Sequence, residues 1–200
     1  EIFDYIESIG GKAVMTSGIH ERASDRCAEA LMKVEKEDGV RFDIVVMVQG
    51  DEPMTHPDMI TEAVEPMIHD PTIDVVNLLG DIQSIEEFED HNCIKVVCDL
   101  SGNALYFSRE SIPTRSKKEK ITMKKQVCII PFRRDFLIQY TKLLPTPLEI
   151  AESVDMMRVL EHGKSVRMVP TQHVSYAVDT ADDLIRVETL MKKCVSAINT

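Results

Sequence analysis

Apolar residues recur along this chain in two patterns, one typical of helices and one typical of strands. Apolar residues at i, i+3, i+4 and i+7 predict amphipathic helices, whereas short apolar runs between turn residues predict strands. Helices are predicted over residues 2–9, 24–34, 57–68, 83–89, 135–144, 146–163 and 180–198, and strands over residues 12–16, 43–49, 74–79, 94–98, 104–108, 127–132, 165–169 and 174–178. Because the two kinds of element alternate, we expect an α/β fold with a central, mostly parallel sheet flanked by helices.

The strand predicted over residues 43–49 leads directly into acidic residues. Its apolar run is rich in Val, as in a parallel strand that is covered on both faces. Gly50 then permits a turn, and Asp51 and Glu52 follow at the carboxyl end of the strand, where open α/β sheets bind their ligands. An acidic group here is a metal-ligand candidate, and the alternative for an isolated Asp-Glu pair is a solvated acidic loop.

Two helix starts have recognisable capping residues. Ser24 is a candidate N-cap for the second helix. Thr146, Pro147 and Glu149 have the spacing of a capping box with proline at the first helical position. We expect the helix that opens there to continue without interruption until Gly163.

Composition points to one sizeable domain over residues 1–200. The chain has 44% hydrophobic and 28% charged residues, and no apolar run approaches the roughly 20 residues needed to span a bilayer.

Its five cysteines are scattered without a CxxC spacing, which argues against a disulfide framework and favours a reducing cytoplasm. The six histidines form no H-x-x-x-H or H-x-H pair, which argues against a zinc site. No signal peptide is recognisable.

The net charge of −11 constrains the partners. Such a charge argues against nucleic acid or an anionic membrane surface as the main partner. If the ligand is a polyanion such as a nucleotide, a divalent cation or a local basic cluster is needed to bring it in. A basic run lies at residues 115–125, but it has no interleaved aromatic residues, which favours a solvated loop over a nucleic-acid contact.

Two predicted strands deliver an aspartate to a strand end, one at Asp51 and the other at Asp179. These two side chains can share one Mg²⁺, which takes one or two carboxylates and leaves its other positions to water and phosphate oxygens. That arrangement serves phosphoryl or nucleotidyl transfer. For Asp182 and Asp183, capping of the last helix is the favoured interpretation. P-loop, dinucleotide-binding and G-x-S-x-G signatures do not occur.

Five sequence motifs, taken together and in order, resemble the 3-deoxy-manno-octulosonate (Kdo) cytidylyltransferase family. They cover nearly the whole chain, and their conjunction is far more specific than any single one. The motifs occupy residues 15–26, 48–53, 103–113, 148–163 and 178–184.

The resemblance implies a single α/β domain of the nucleotide-diphospho-sugar transferase type, with a β-rich insertion for dimerisation and sugar binding. It also implies a cytoplasmic homodimer that couples CTP to Kdo, releases pyrophosphate and supplies CMP-Kdo for lipopolysaccharide synthesis. By resemblance, Mg²⁺ is the cofactor. The implied roles are catalysis and metal binding for Asp51 and Asp179, nucleotide binding for Ser24, Arg26 and Gln49, and sugar-acid binding for Gln49, Arg109, Gln126 and Glu152.

The chain departs from the family pattern in three places. The family's phosphate-binding stretch, rich in Arg, Ser, Gly and Lys, does not precede Glu1, so we expect this chain alone to be weakly active or inactive. The loop at residues 22–26 reads Arg-Ala-Ser-Asp-Arg where the family has Ser-Gly-Thr-Asp-Arg. The strand at residues 126–133 has Gln126 and Ile130 where the family has His and Tyr, which puts the identity of the sugar in question.

Three alternatives follow from these departures. The first is a cytidylyltransferase for another ulosonic acid, such as an amino-Kdo or a nonulosonic acid, favoured by Gln126 and Ile130. The second is a noncatalytic nucleotide-sugar-binding homologue. A glycosyltransferase ranks below both, because no Asp-x-Asp occurs at a strand end.

Overall fold

A computed structural model describes residues 1–116, 121–174 and 176–198, with backbone alone for 194–198. The described helices are α1 (Ile2–Ser8), α2 (Ala23–Asp38), α3 (Pro57–His69), α4 (Ile85–Glu89), α5 (Arg134–Tyr140), α6 (Pro147–Glu152), α7 (Asp155–Glu161) and α8 (Ala181–Ile198). The described strands are β1 (Ile44–Val48), β2 (Val76–Asp81), β3 (Lys95–Cys98), β4 (Ala104–Ser108), β5 (Lys124–Val127), β6 (Ile129–Arg133) and β7 (Arg167–Pro170). The α/β prediction is confirmed.

The main sheet is mixed, so the prediction of a mostly parallel sheet is wrong for the described strands. Its order is β4-β3-β5-β2-β7, with β2 and β7 parallel and the other neighbours antiparallel. The antiparallel part consists of the hairpin of β3 and β4, whose turn is closed by Asp99 and Gly102 as predicted, and of β5, which pairs antiparallel with both β3 and β2. Asp99 Oδ1 accepts the amides of Ser101 and Asn103, each at 2.8 Å, which is the bonding of an Asx turn.

Strand β1 does not lie buried inside the main sheet. It pairs antiparallel with β6 in a two-stranded sheet, and Val48 is 43% exposed while Met47 is buried. The strand covered on both faces is β2, whose residues alternate between two apolar clusters. Val76 and Leu78 pack towards α3, and Leu79 packs towards the larger cluster around Phe107. The Val-rich run therefore predicted a strand correctly, but it did not reveal which strand is buried on both faces.

Several predicted elements differ from those observed. The strand predicted over residues 127–132 is two strands, β5 and β6, because the chain changes sheets at Cys128. Residues 12–16 form no strand, since no described strand pairs with them. The described part of residues 174–178 forms none either, and Ser175 lies outside the described residues. Residues 117–120 of the basic run also lie outside them.

The helix predicted over residues 146–163 is broken into α6 and α7 at Ser153, which has a left-handed backbone with φ 53° and ψ 48°. The side chain of Arg109 donates to the carbonyl oxygens of Glu152 at 2.6 Å and Ser153 at 3.5 Å, so these acceptors are satisfied without a continuous helix. At the predicted start, Glu149 accepts the amide of Thr146 at 3.2 Å. No described helix is both long and apolar enough to cross a membrane.

Candidate functional site

The two predicted metal ligands lie side by side because the backbone joins their segments. Asp51 belongs to the turn after β1, and Asp179 precedes α8. The amide of Val178 donates to the carbonyl oxygen of Asp51 at 2.9 Å, which holds the two turns together. Residues separated by 128 positions are thereby brought together, although Asp179 does not follow a described strand as its sequence pattern predicted.

Both aspartates line a cavity of about 490 Å³, which we call the acidic cavity. Its walls come from the turn after β1, the loop and helix after β2, strand β5 and the start of α8. Seven carboxylates line it, against one lysine and one arginine. The acidic side chains are Asp51, Glu52, Glu86, Glu87, Asp90, Asp179 and Asp183.

Partial burial and the negative charge of this cavity both raise the pKa of Asp179. Partial desolvation raises the pKa of the Asp179 carboxyl, and the negative charges of Asp51, Asp183 and Asp90 raise it further. Like charges facing one another across a cleft destabilise the ionised form of each. A divalent cation between Asp51 and Asp179 would relieve that repulsion, so the donor set fits a hard, oxygen-preferring metal ion.

The two basic residues of the acidic cavity are engaged with its carboxylates. Lys125 Nζ lies 2.6 Å from Glu87 Oε1, and Arg186 Nη2 lies 3.0 Å from Asp183 Oδ1. Asp183 also accepts the amide of Thr180 at 3.0 Å and its hydroxyl at 2.8 Å. These bonds confirm the capping interpretation of Asp183 and lower the pKa of its carboxyl, chiefly through the Thr180 hydroxyl.

Glu52 differs from Asp51 although the two are adjacent. Asp51 is exposed, whereas Glu52 is buried and its Oε1 accepts the amide of Cys128 at 3.2 Å. The bond ties the turn after β1 to the point where the chain passes from β5 to β6. Of the Asp-Glu pair, only Asp51 presents an exposed carboxylate to a ligand, and Glu52 supports the wall behind it.

A second cavity of about 600 Å³ lies on the other side of the same turn, and we call it the Arg26 cavity. Gln49 and Asp51 line both cavities, so this turn forms the ridge between them. The guanidinium of Arg26 donates to Thr16 Oγ1 at 2.5 Å and to the carbonyl of Ser17 at 3.2 Å. The structure thus places Arg26 and Gln49, two of the three predicted nucleotide-binding residues, in one cavity.

Ser24, the third predicted nucleotide-binding residue, is not in either cavity. Its side chain is fully buried, and its hydroxyl donates to Asp155 Oδ2 at 2.7 Å. The prediction that Ser24 caps α2 is also wrong, because the N-cap is Arg22. Ser24 is one residue inside the helix, so its side chain turns towards α7 rather than towards solvent.

Gln126 lines the acidic cavity, as a sugar-binding residue should. Its Nε2 donates to Oδ1 of the buried Asn77 at 2.6 Å, which fixes the orientation of the amide. Ile130 is 2% exposed in the larger apolar cluster. Of the two departures on this strand, only Gln126 is therefore able to contact a substrate.

Arg109 and Glu152 contact each other but line neither cavity. Glu152 accepts the Arg109 amide at 2.8 Å, the Tyr106 hydroxyl at 3.0 Å and the Ser108 hydroxyl at 3.3 Å. The Arg109 side chain donates to backbone carbonyls, including that of His91 at 2.9 Å. Glu152 thus accepts three hydrogen bonds from the end of β4 and fixes the position of the Arg109 backbone.

Sequence reasoning missed Asp90 and Lys95. Asp90 lines the acidic cavity and ends α4, and its carbonyl accepts Lys95 Nζ at 2.8 Å. Lys95 is fully buried, its ammonium also donates to the Arg109 carbonyl, and burial lowers the pKa of that ammonium. The available signal was a charged residue inside the apolar run of residues 94–98.

The comparisons with known proteins agree with one another on the family of this chain. Residues 1–166 match the profile of the family described as cytidylyltransferase. The chain is 38% identical to the 3-deoxy-manno-octulosonate cytidylyltransferase of Geobacter metallireducens, over 93% of this chain and 75% of that protein. It is 40% identical to the protein of the same name from Syntrophus aciditrophicus, over 95% of this chain and 76% of the relative.

Solved structures agree with these sequences. A CMP:2-keto-3-deoxy-manno-octonic acid synthetase complexed with CTP superposes with a TM-score of 0.86 at 34% identity, covering 96% of this chain and 77% of the other. A putative glucose-1-phosphate thymidylyltransferase from Bacillus anthracis superposes with a TM-score of 0.58 at 15% identity, covering 94% and 70% of the two chains. The second likeness shows the fold alone.

Proposed function

The chain belongs to the 3-deoxy-manno-octulosonate cytidylyltransferase family, and from that membership we propose that it transfers the cytidylyl group of CTP to Kdo. The products are CMP-Kdo and pyrophosphate, and the activated sugar serves lipopolysaccharide synthesis. In this reaction the anomeric hydroxyl oxygen of the sugar attacks the α-phosphorus. The bond to the β-phosphate oxygen breaks, pyrophosphate leaves, and the hydroxyl proton is released.

One observation supports this proposal above the others: the bond between the Val178 amide and the Asp51 carbonyl, which brings Asp51 and Asp179 together at the ridge between two cavities. A transferase needs to hold two substrates with their reacting atoms in contact. Two cavities that share Gln49 and Asp51 satisfy that requirement, since ligands in both would meet at this ridge.

Nucleotidyltransferases of this kind generally use a divalent metal, and we propose Mg²⁺ held by Asp51 and Asp179. When bound, it would neutralise charge on the phosphates. The need for a cation follows from the seven carboxylates of the acidic cavity, which would repel both a triphosphate and a sugar acid. We further propose a cytoplasmic homodimer, as the family resemblance implies.

The chain's own residues have separate tasks in this proposal. Arg26 lies in the cavity that would take the nucleotide, where Thr16 and Ser17 hold its guanidinium in place. Gln126 lies in the cavity that would take the sugar acid, where Asn77 orients its amide. Gln49 contacts both spaces and orients either substrate. Catalysis then rests on positioning and charge neutralisation.

A second candidate is the same chemistry on another ulosonic acid, such as an amino-Kdo or a nonulosonic acid. The observation that favours it is Gln126, which faces the acidic cavity with an amide where the family has an imidazole. A pocket that is built for particular hydroxyl or amino groups rejects analogues strongly, so one substituted wall residue is enough to change the preferred sugar.

The test is pyrophosphate release by the purified protein with CTP and Mg²⁺, across Kdo, an 8-amino analogue and a nonulosonic acid. Turnover with Kdo supports the main proposal, and turnover with another acid alone selects the second candidate. The variant Asp179→Asn should lose turnover by at least about 100-fold with the fold retained, by analogy with losses at metal sites.

Asp182→Asn is the matched control for that variant. Asp182 is an exposed aspartate of the same helix start, and it does not line the acidic cavity. We expect Asp182→Asn to keep near-normal turnover. An active Asp179→Asn variant would remove Asp179 from the metal site, and no turnover with any sugar acid would favour a noncatalytic homologue.

A further inference from the structure

Two histidines and an aspartate lie close together where the start of α3 meets the loop after β7. His56 and Asp58 lie at the start of α3, and His173 lies in the loop after β7. One potential ligand atom from each residue lies within 4.8 Å of the other two. Across the described ranges of the chain, this is the one group of three such side chains at that spacing.

The two imidazole rings are aligned. Their centroids are 4.4 Å apart and their planes differ by 9°. His173 Nε2 lies 3.9 Å from Asp58 Oδ2, and His56 Nδ1 lies 3.5 Å from the same carboxylate. One nitrogen of each ring therefore lies within 4 Å of the same carboxylate oxygen, and because His56 Nδ1 also accepts the Asp58 amide at 3.2 Å, a cation bound through Nδ1 would replace that capping bond.

Glu62, one turn further along α3, provides an independent indication. Its Oε1 lies 3.7 Å from His173 Nε2. Its Oε2 is buried and has no hydrogen-bond partner among the described residues. A buried carboxylate oxygen without a partner is costly, and a cation bound at the adjacent His173 would satisfy it.

We propose that His56, Asp58 and His173, with Glu62 as a fourth ligand, bind a divalent transition-metal ion such as Zn²⁺. Imidazole with carboxylate is a ligand set for Zn²⁺, Cu²⁺ or Ni²⁺, whereas Mg²⁺ prefers oxygen alone. Bond lengths of about 2.0–2.2 Å require the ligand atoms to move closer together than in the structure. That movement opens the stack of the two rings, and the side chains of His56 and Asp58, 52% and 68% exposed, have room to make it.

Such a site would join α3 to the loop that leads to Asp179. His173 precedes Asp179 by six residues, and His56 follows Asp51 by five. The ion would therefore link both turns of the acidic cavity from outside, without being part of it. Its expected effect is to stabilise the folded protein, because an ion that binds only the folded state raises the free energy of unfolding.

The experiment is titration of the purified protein with Zn²⁺ in the presence of excess Mg²⁺, followed by calorimetry and by thermal unfolding. We expect one Zn²⁺ per chain and a higher melting temperature. His173→Gln should weaken Zn²⁺ binding at least tenfold and abolish the rise in melting temperature. His69→Gln, at an exposed histidine at the other end of α3, is the control and should change neither.

A second variant separates this site from the acidic cavity. Asp51→Asn should keep normal Zn²⁺ binding in the presence of Mg²⁺. The proposal is overturned if the unaltered protein does not bind Zn²⁺, if His173→Gln binds it as well as the unaltered protein does, or if Asp51→Asn abolishes binding. Failure at this site leaves the cytidylyltransferase proposal unaffected, since pyrophosphate release is measured with Mg²⁺ alone.

Discussion

The buried ion pair of Arg158 with Glu149 offers the sharpest stability prediction. Arg158 donates to both carboxylate oxygens of Glu149, at 2.7 and 2.6 Å, and its guanidinium lies 4.7 Å from the centroid of the Tyr140 ring. Glu149 is fully buried and Arg158 is 3% exposed. The pair joins α6 to α7 across the break at Ser153. We expect Arg158→Met to destabilise the protein strongly, because it leaves the buried carboxylate of Glu149 without its main partner.

The expected loss is about 3–5 kcal/mol, the range for removing one partner of a buried pair. Two charged hydrogen bonds and a cation–π contact of about 1 kcal/mol are lost together. Arg22 Nε lies 3.4 Å from Glu149 Oε1 and offers partial compensation, which places the expectation near the lower end. For a protein of ordinary stability, about 5–15 kcal/mol, this is a large and measurable fraction.

The assay is urea unfolding followed by circular dichroism, with linear extrapolation to water. The chain offers a matched control in Arg41 and Asp135, an arginine–carboxylate pair at 2.6 Å whose side chains are 61% and 60% exposed. Arg41→Met should cost no more than about 1 kcal/mol, because solvent already screens the pair. The two pairs match in residue class and distance and differ mainly in burial, together with the Tyr140 contact of Arg158 and a second partner for Asp135, Arg134 at 2.9 Å.

A double variant tests whether the loss comes from the unpaired charge. Glu149→Leu with Arg158→Met removes both charges, so we expect it to be more stable than the sum of the two single losses predicts. The reasoning is refuted if Arg158→Met costs no more than Arg41→Met, or if the losses of Glu149→Leu and Arg158→Met are additive.

Two further predictions concern the neighbouring residues. Glu152 holds the amide of Arg109, whose positive charge acts on Asp179 in the acidic cavity and so favours an anionic ligand there. Glu152→Gln should therefore raise the KM for the sugar acid several-fold with little change in kcat, and an unchanged KM in steady-state assays would argue against a positioning role. Burial raises the pKa of the Asp155 carboxyl above its unfolded value of about 3.9, so the folded protein loses stability as pH rises through the folded pKa. Asp155→Asn, which removes this titration, should therefore gain stability relative to the unaltered protein as pH rises above the unfolded pKa in urea unfolding, and a relative loss with rising pH would contradict the assignment.

Local sequence patterns were sufficient for the elements that are stabilised by neighbouring residues. Helices α2 and α3 follow from apolar residues at helical spacing, and the hairpin of β3 and β4 follows from the turn at residues 99–102. The predicted pair Asp51 and Asp179 lines one cavity, although only Asp51 follows a described strand, and their role as metal ligands stays a prediction. The family prediction is confirmed because it rested on five motifs in order.

Contacts between distant residues decided the rest. Sheet direction depends on which strands become neighbours, so the Val-rich β1 pairs with β6 and is only partly buried, while β2, between β5 and β7, is covered on both faces. The predicted helix breaks at Ser153 because Arg109, 44 residues earlier, bonds to its carbonyl.

For the candidate-site side chains too, the sequence suggested the residues, whereas tertiary contacts decided which of them are exposed. The family resemblance implied Ser24, Arg26 and Gln126 as site residues; in the fold Ser24 is buried against Asp155, whereas Arg26 and Gln126 lie on cavity walls. Histidines at sequence positions 56 and 173 show no ligand spacing, yet their rings stack in the folded protein. Propensity and periodicity are properties of neighbouring residues along the chain, whereas exposure and ligand geometry arise only when distant segments pack together.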